Sequence, residues 1–189
     1  MERFEPLEPP ADGAPSGRTV THPPRETRIL VVDSNPADLE ILKAGAERAE
    51  KQPNARDFTR IVHAVSSLEE LPDALAVFNP HIVVVSFPKN PNGDRELEGV
   101  VDSILGRVNM PTGIMGVMPE GLLERDPGLA ADKRFGSSCR GSLWMVGKPL
   151  NPESLRHYEA GIRLFESDHA ANTILMERGR SRSRSRLQL

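Results

Sequence analysis

Short apolar runs recur along the chain, separated by polar and helically periodic stretches. Ile29, Leu30, Val31 and Val32 form an unbroken aliphatic run closed by a polar cluster and Pro36, and Ile82, Val83, Val84 and Val85 form another. Continuous β-branched runs of this length predict strands buried on both faces, as in a parallel sheet. Residues 58–64 predict a further strand, "TGIMGVM" a glycine-weakened fourth and "SLWMVGKPL" a fifth. Between them the period changes to that of a helix. Residues 38–50 place Leu39, Ile41, Leu42, Ala46 and Ala49 at mostly helical spacings, with Ser34, Asn35 or Asp38 able to cap the start. Residues 68–78 predict a second helix begun by Ser66 or Ser67, which tolerates Pro72 only if the helix proper begins near it. Residues 96–108 carry Leu97, Val100, Val101, Ile104, Leu105 and Val108 on one face, and residues 152–165 predict a last helix capped by Asn151, with Leu155, Tyr158, Ile162 and Phe165 inward. Between Pro119 and Ser142 the pattern blurs, interrupted by Pro127, Gly128, Gly136 and Gly141. Five strands alternating with helices predict an α/β domain, a doubly wound five-stranded parallel sheet of flavodoxin-like type, over residues 27–166.

The ends read differently. Residues 1–26 hold six prolines and no periodicity, so they predict a flexible leader, either passive or a partner-binding segment around Phe4 and Leu7. Residues 167–189 predict a disordered basic tail, in which Arg178, Arg180, Arg182, Arg184 and Arg186 alternate with Gly or Ser and leave nothing for a helix or strand to bury. The formal charge of −3 conceals this division: residues 177–189 carry five arginines and one glutamate, +4, so the preceding 176 residues carry −7. Such a tail suits nucleic acid, an acidic protein or an anionic membrane surface, or serves only solubility.

Composition removes several classes. One cysteine, Cys139, supports neither a disulfide framework nor a thiolate metal site. The start "MERFEPLEPP" lacks the features of a signal peptide, and no apolar run approaches the roughly 18 residues of a membrane span, so a cytoplasmic protein is expected. The five histidines have no ligand spacing, and "GSLWMVGKP" fails as a phosphate-binding loop because Pro149 stands where Ser or Thr is needed. No catalytic constellation, metal or cofactor is predicted.

In a doubly wound sheet, chemistry gathers at the carboxyl ends of the strands: at Asp33, Ser86, Gly116 or Val117, and Lys148. Here "ILVVDSNPADLEIL", "NPHIVVVSF" and "VGKPLNPESL" resemble the first strand, third strand and fifth strand with its lysine-proline of receiver domains in bacterial two-component response regulators. The resemblance covers roughly residues 27–166. It implies two adjacent acids after strand one, a phospho-accepting aspartate after strand three, a Thr or Ser after strand four and a lysine after strand five. In this sequence Asp33 fills the first acid position and Lys148 the last, while Ser34 replaces the second acid, Ser86 the acceptor, and Gly116 or Val117 the hydroxyl residue.

Those departures predict a degenerate, pseudo-receiver type of domain. A lone Asp33 facing Lys148 is neutral as a pair, so a cation is not required, and one carboxylate with a hydroxyl would hold Mg²⁺ poorly. Ser86 cannot form an aspartyl phosphate, and no base is evident beside it. The expectation is an Asp33–Lys148 ion pair, with Ser86 as a possible bridge, in a domain that binds protein partners in a signalling assembly without phosphorylation. The other reading of Lys148 is a solvent-facing lysine, and an unconventional phosphoryl acceptor is the alternative activity. The resemblance also implies that partners or a second copy, as in a homodimer, dock near the fifth strand and last helix. Trp144, Met145 and Tyr158 are the candidate contacts there, with core burial as the other reading of Trp144 and Met145.

Overall fold

The structure, a computed structural model, describes residues 25–87, 113–119 and 143–186, with side chains of the last helix through Arg178. The leader up to residue 24, the helix predicted over 96–108, the irregular stretch before the fifth strand, including Cys139, and the side chains of Arg180, Arg182, Arg184 and Arg186 lie outside the described residues. Strand β1 (Glu26–Val32) leads to helix α1 (Pro36–Arg48), a 3-10 turn (Pro53–Ala55), β2 (Thr59–Val65), α2 (Leu71–Phe78) and β3 (Ile82–Ser86). Then follow β4 (Gly113–Met118), β5 (Leu143–Gly147) and a long helix, α3 (Pro152–Arg186). The strands are parallel throughout, in the order β2-β1-β3-β4-β5. This is the doubly wound order with its switch point between β1 and β3, as the alternation of runs predicts.

Each continuous apolar run feeds two cores because successive side chains point to opposite faces. Leu30, Val32, Val83, Val85, Ile114 and Met118 pack with Leu71 and Leu75 of α2. On the other face, Ile29, Val31, Ile82, Val84, Val117 and Val146 pack with Leu42 and Ala46 of α1 and with Tyr158, Ile162 and Phe165 of α3. Helix α3 lies close on β4: a Cβ at Gly113 would stand 2.2 Å from Phe165 Cγ.

Local signals set most element ends. Asn35, rather than Ser34 or Asp38, caps α1, its side chain accepting a hydrogen bond from the Ala37 amide at 3.0 Å. Asp38 thereby moves into the first turn. In α2, Pro72 sits in the first turn, where its missing amide proton costs nothing. The cap position is Glu70, without a side-chain cap bond, while Ser67 Oγ accepts from the Glu70 amide at 3.4 Å in the turn before the helix. Asn79 closes the helix in the left-handed conformation, φ 48°.

The last helix runs beyond its predicted end at residue 165. It continues to Arg186. Apolar periodicity ends at Phe165 because the inward positions beyond it are mostly polar and hold the body through ion pairs and hydrogen bonds. Glu166, fully buried, pairs with Arg60, whose Nη1 also donates to the carbonyls of Ala46 at 2.6 Å and Ala49 at 2.9 Å, satisfying the end of α1. Ser167 accepts from Asn54, Ala170 packs with Ala55 and Phe58, and Glu177 pairs with Arg25 at 2.8 Å. His169 stacks on His81 with ring centroids 3.8 Å apart, and its Nε2 lies 3.0 Å from the Glu26 carbonyl. The Arg28 amide donates to Nδ1 of His81 at 3.0 Å.

Burial, then the neighbouring His169 and Arg28, hold the His81 imidazole down to about 3, and burial also lowers His169. A histidine depressed in the folded state binds its proton more readily when unfolded, so its contribution is present above the ordinary value of 6.5 and lost as pH falls toward 3. The melting temperature should therefore fall between pH 6.5 and 5, and His81→Asn should flatten that slope, as calorimetry across the range would show. Gly113→Ala should cost about 1–3 kcal/mol in chemical denaturation, because the added methyl has to displace the Phe165 ring.

Candidate functional site

The candidate site lies at the carboxyl end of the sheet, where β1, β3 and β5 deliver the residues that follow their last core positions. Alternation carries Asp33 to the same face as Val31, Ser86 to that of Val84, and Lys148 to that of Val146. Asp33 is 2% exposed. Its Oδ1 accepts from the Asn35 amide at 2.8 Å, a local turn that also sets up the cap of α1. From β5, the Lys148 ammonium reaches Asp33 Oδ2 at 2.9 Å and Asp38 Oδ2 at 2.7 Å. The Lys148–Pro149 peptide is cis.

The Asp33–Lys148 pair is thus present, and Lys148 is not a free strand-end lysine. The structure adds Asp38, which the sequence reading treated only as a possible cap. Its signal was available: an acid in the first turn of the helix after β1 lies over the same sheet end as the acid that ends the strand. The pair is therefore a triad, with two carboxylates and one ammonium, carrying a net −1 rather than the neutrality expected. Burial alone would lower the Lys148 ammonium, but the hydrogen bonds to Asp38 and Asp33 outweigh it and raise its pKa above the usual 10.5.

Ser86 does not bridge the pair. Its Oγ is buried, the residue 6% exposed, and it has no hydrogen-bond partner among the described residues. The strand-four candidates also shift. Val117 is the register partner of Ser86 but is buried in the core, and a Cβ at Gly116 would stand 2.6 Å from Met145 Sδ. The residue of that strand end that reaches the site is Pro119, which has no hydroxyl. Together Asp33, Asn35, Asp38, Ser86, Pro119 and Lys148 border an open cavity of about 430 Å³, to which exposed Ser34 also contributes.

Receiver-type sites hold Mg²⁺, and these residues do not fit it. Both carboxylates converge on an ammonium, the second acid position is Ser34, and the hydroxyl of Ser86 is not a carboxylate. Among the described residues, the side chains here supply no donor set for six-oxygen coordination of a small cation. No group of three His, Cys, Asp or Glu side chains suited to a metal occurs among the described residues.

The candidate contact residues are mostly committed to the interior. Tyr158 is fully buried and its hydroxyl donates to the Leu42 carbonyl at 2.9 Å, so it is a core residue and not an exposed anchor. Trp144 is half-buried against the α3 side of the sheet, stacked on His157 and donating to its carbonyl at 3.2 Å. Met145 packs against the opposite core. Arg178 is exposed on α3.

No family model matches the chain, and no curated protein does. Among solved structures, the chain is similar to the signal receiver domain of a LuxO repressor protein from Vibrio parahaemolyticus. The TM-score is 0.54 at 13% identity, over 79% of this chain and 97% of that one. It also matches the N-terminal signal receiver domain of a two-component response regulator from Bacteroides fragilis, with TM-score 0.45, 16% identity, and 74% and 97% of the two chains. A flavodoxin from Streptococcus pneumonia TIGR4 aligns with TM-score 0.43 at 13% identity, over 78% of this chain and 99% of that one. With the strand order observed, the first of these likenesses identifies the fold as receiver-type.

Proposed function

We propose that this chain is a degenerate receiver module that works without phosphorylation, as a protein interaction element in a signalling assembly rather than as an enzyme. The observation that carries this reading is the end of β3, where a buried hydroxyl, Ser86 Oγ, stands in the place of an acceptor carboxylate. A serine hydroxyl needs a base to become a nucleophile, and none lies within hydrogen-bond reach among the described residues. Among the described residues, the cationic group bordering the cavity, Lys148, already gives two of its three N–H donors to carboxylates, which compete with a phosphoryl oxygen for it. The triad ties β5 to β1 and α1 in the resting state, which favours one constitutive surface over a switched one. Protein partners are the natural ligands of such a surface.

Incubation with acetyl phosphate and Mg²⁺, followed by intact mass measurement under neutral and acidic conditions, tests the reading. The unmodified mass is the expected result. A stable phosphoryl adduct, mapped to Ser86 or Asp33, would establish the unconventional acceptor instead.

The triad makes its own prediction. Lys148→Met leaves two facing carboxylates, one of them buried, and should cost about 2–3 kcal/mol, less than for a fully enclosed pair because Lys148 and Asp38 keep some solvent. Asp33→Asn combined with Lys148→Met should cost less than the two single changes added together, the sign of direct coupling in a double-mutant cycle. The raised lysine pKa places this contribution fully below pH 10.5, and it is lost as pH rises through the higher folded value. The stability gap between wild type and Lys148→Met should accordingly stay level through neutral pH and narrow above pH 10.5 in denaturant titrations.

A further inference from the structure

We propose that the C-terminal part of α3 docks this domain on an anionic lipid bilayer. The body covers the inward side of the helix as far as Glu177, where Arg25 takes the carboxylate and balances its charge. The outward side ends in two large apolar side chains, Leu175 and Met176, at 64% and 60% exposure. They have no packing role in either core. Exposed Leu164, Asp168 and Ala171 precede Leu175 on the same side of the helix, so the acid-free apolar part of that side is its far end.

Immediately beyond comes the largest concentration of positive charge in the chain, five arginines from 178 to 186 with no acid among them. The helical backbone continues through this stretch. Positions 178, 182 and 186 follow Leu175 at i+3, i+7 and i+11, and position 180 follows Met176 at i+4, the intervals that repeat along one side of a helix. An apolar pair directly joined to a basic run is the chemistry of an interfacial helix, whose apolar side chains enter the headgroup boundary while its cations meet anionic lipid. Nucleic acid would satisfy the guanidinium groups but leave Leu175 and Met176 in water. A bilayer takes both.

The geometry keeps the rest of the domain available. At 1.5 Å per residue, Arg178 stands about 39 Å along the axis from Pro152, the end of α3 that adjoins the site. Docking through the far end therefore leaves the Asp33–Asp38–Lys148 cavity facing water.

Co-sedimentation of the full chain with phosphatidylcholine vesicles, with and without ~30% phosphatidylserine, tests the proposal at low and high salt. Binding is expected only to the phosphatidylserine vesicles, weakening as salt rises. Replacing the five arginines with Gln should weaken it by at least about 100-fold. Leu175→Asp with Met176→Asp should weaken it by at least about tenfold, with an unchanged melting curve because both side chains are exposed. Three results would overturn the proposal: no sedimentation with the anionic vesicles, undiminished binding by the Asp double variant, or tighter binding to duplex DNA that this variant leaves intact.

Discussion

One ammonium group organises the functional end of this molecule. Lys148 Nζ lies between Asp33 and Asp38 and joins the exit of β5 to the exit of β1 and the first turn of α1. These segments are more than a hundred residues apart in sequence, so the contact exists only once the sheet is assembled. Removing an ammonium from water is unfavourable, and the two carboxylates more than offset that cost, as the raised pKa of the lysine shows. Among the described residues, the same arrangement commits two of the three N–H donors of the ammonium that borders the cavity.

At the other end of the sheet a second buried ion pair has the complementary role. Arg60 and Glu166, with side chains 5% and 0% exposed, tie β2 to α3 while the same guanidinium closes the carbonyls at the end of α1. Around them the stacked histidines, the Asn54–Ser167 contact and the Arg25–Glu177 pair carry the helix past the end of the hydrophobic core. The polar joint sets the direction of the projecting helix. The exposed Leu175 and Met176 are presented on a stem anchored to the body.

The fold was largely legible in the sequence because parallel strands buried on both faces leave unbroken aliphatic runs, and 29–32 and 82–85 are such runs. Pro72 also disclosed its own position, since only the first turn of a helix accommodates it. The extent of α3 was not legible: beyond Phe165 its inward residues include Glu166, His169, Thr173 and Glu177, and a polar inward face gives no hydrophobic period to follow. At the site, Asp33 and Lys148 were marked by their places after strands. Asp38 was ambiguous because an acid in a first turn stabilises the helix whether or not it meets a lysine. The inward spacing of Tyr158 was legible and its use as a partner contact was not met, because the Leu42 carbonyl takes its hydroxyl inside the core.

By itself the sequence determined the order and type of the elements, the placing of a serine, Ser86, at the end of the third strand, and the separation of an acidic body from a basic end. Those properties depend on local periodicity and on residue identity, which a one-dimensional pattern contains. The tertiary structure alone decided that Lys148 meets two carboxylates, that Ser86 Oγ has no partner among the described residues, that Pro119 and not Gly116 or Val117 borders the cavity, and that the last helix outruns its hydrophobic face. Each of these depends on distances between groups on different elements, and such distances arise only when the strands pair and the helices close over them.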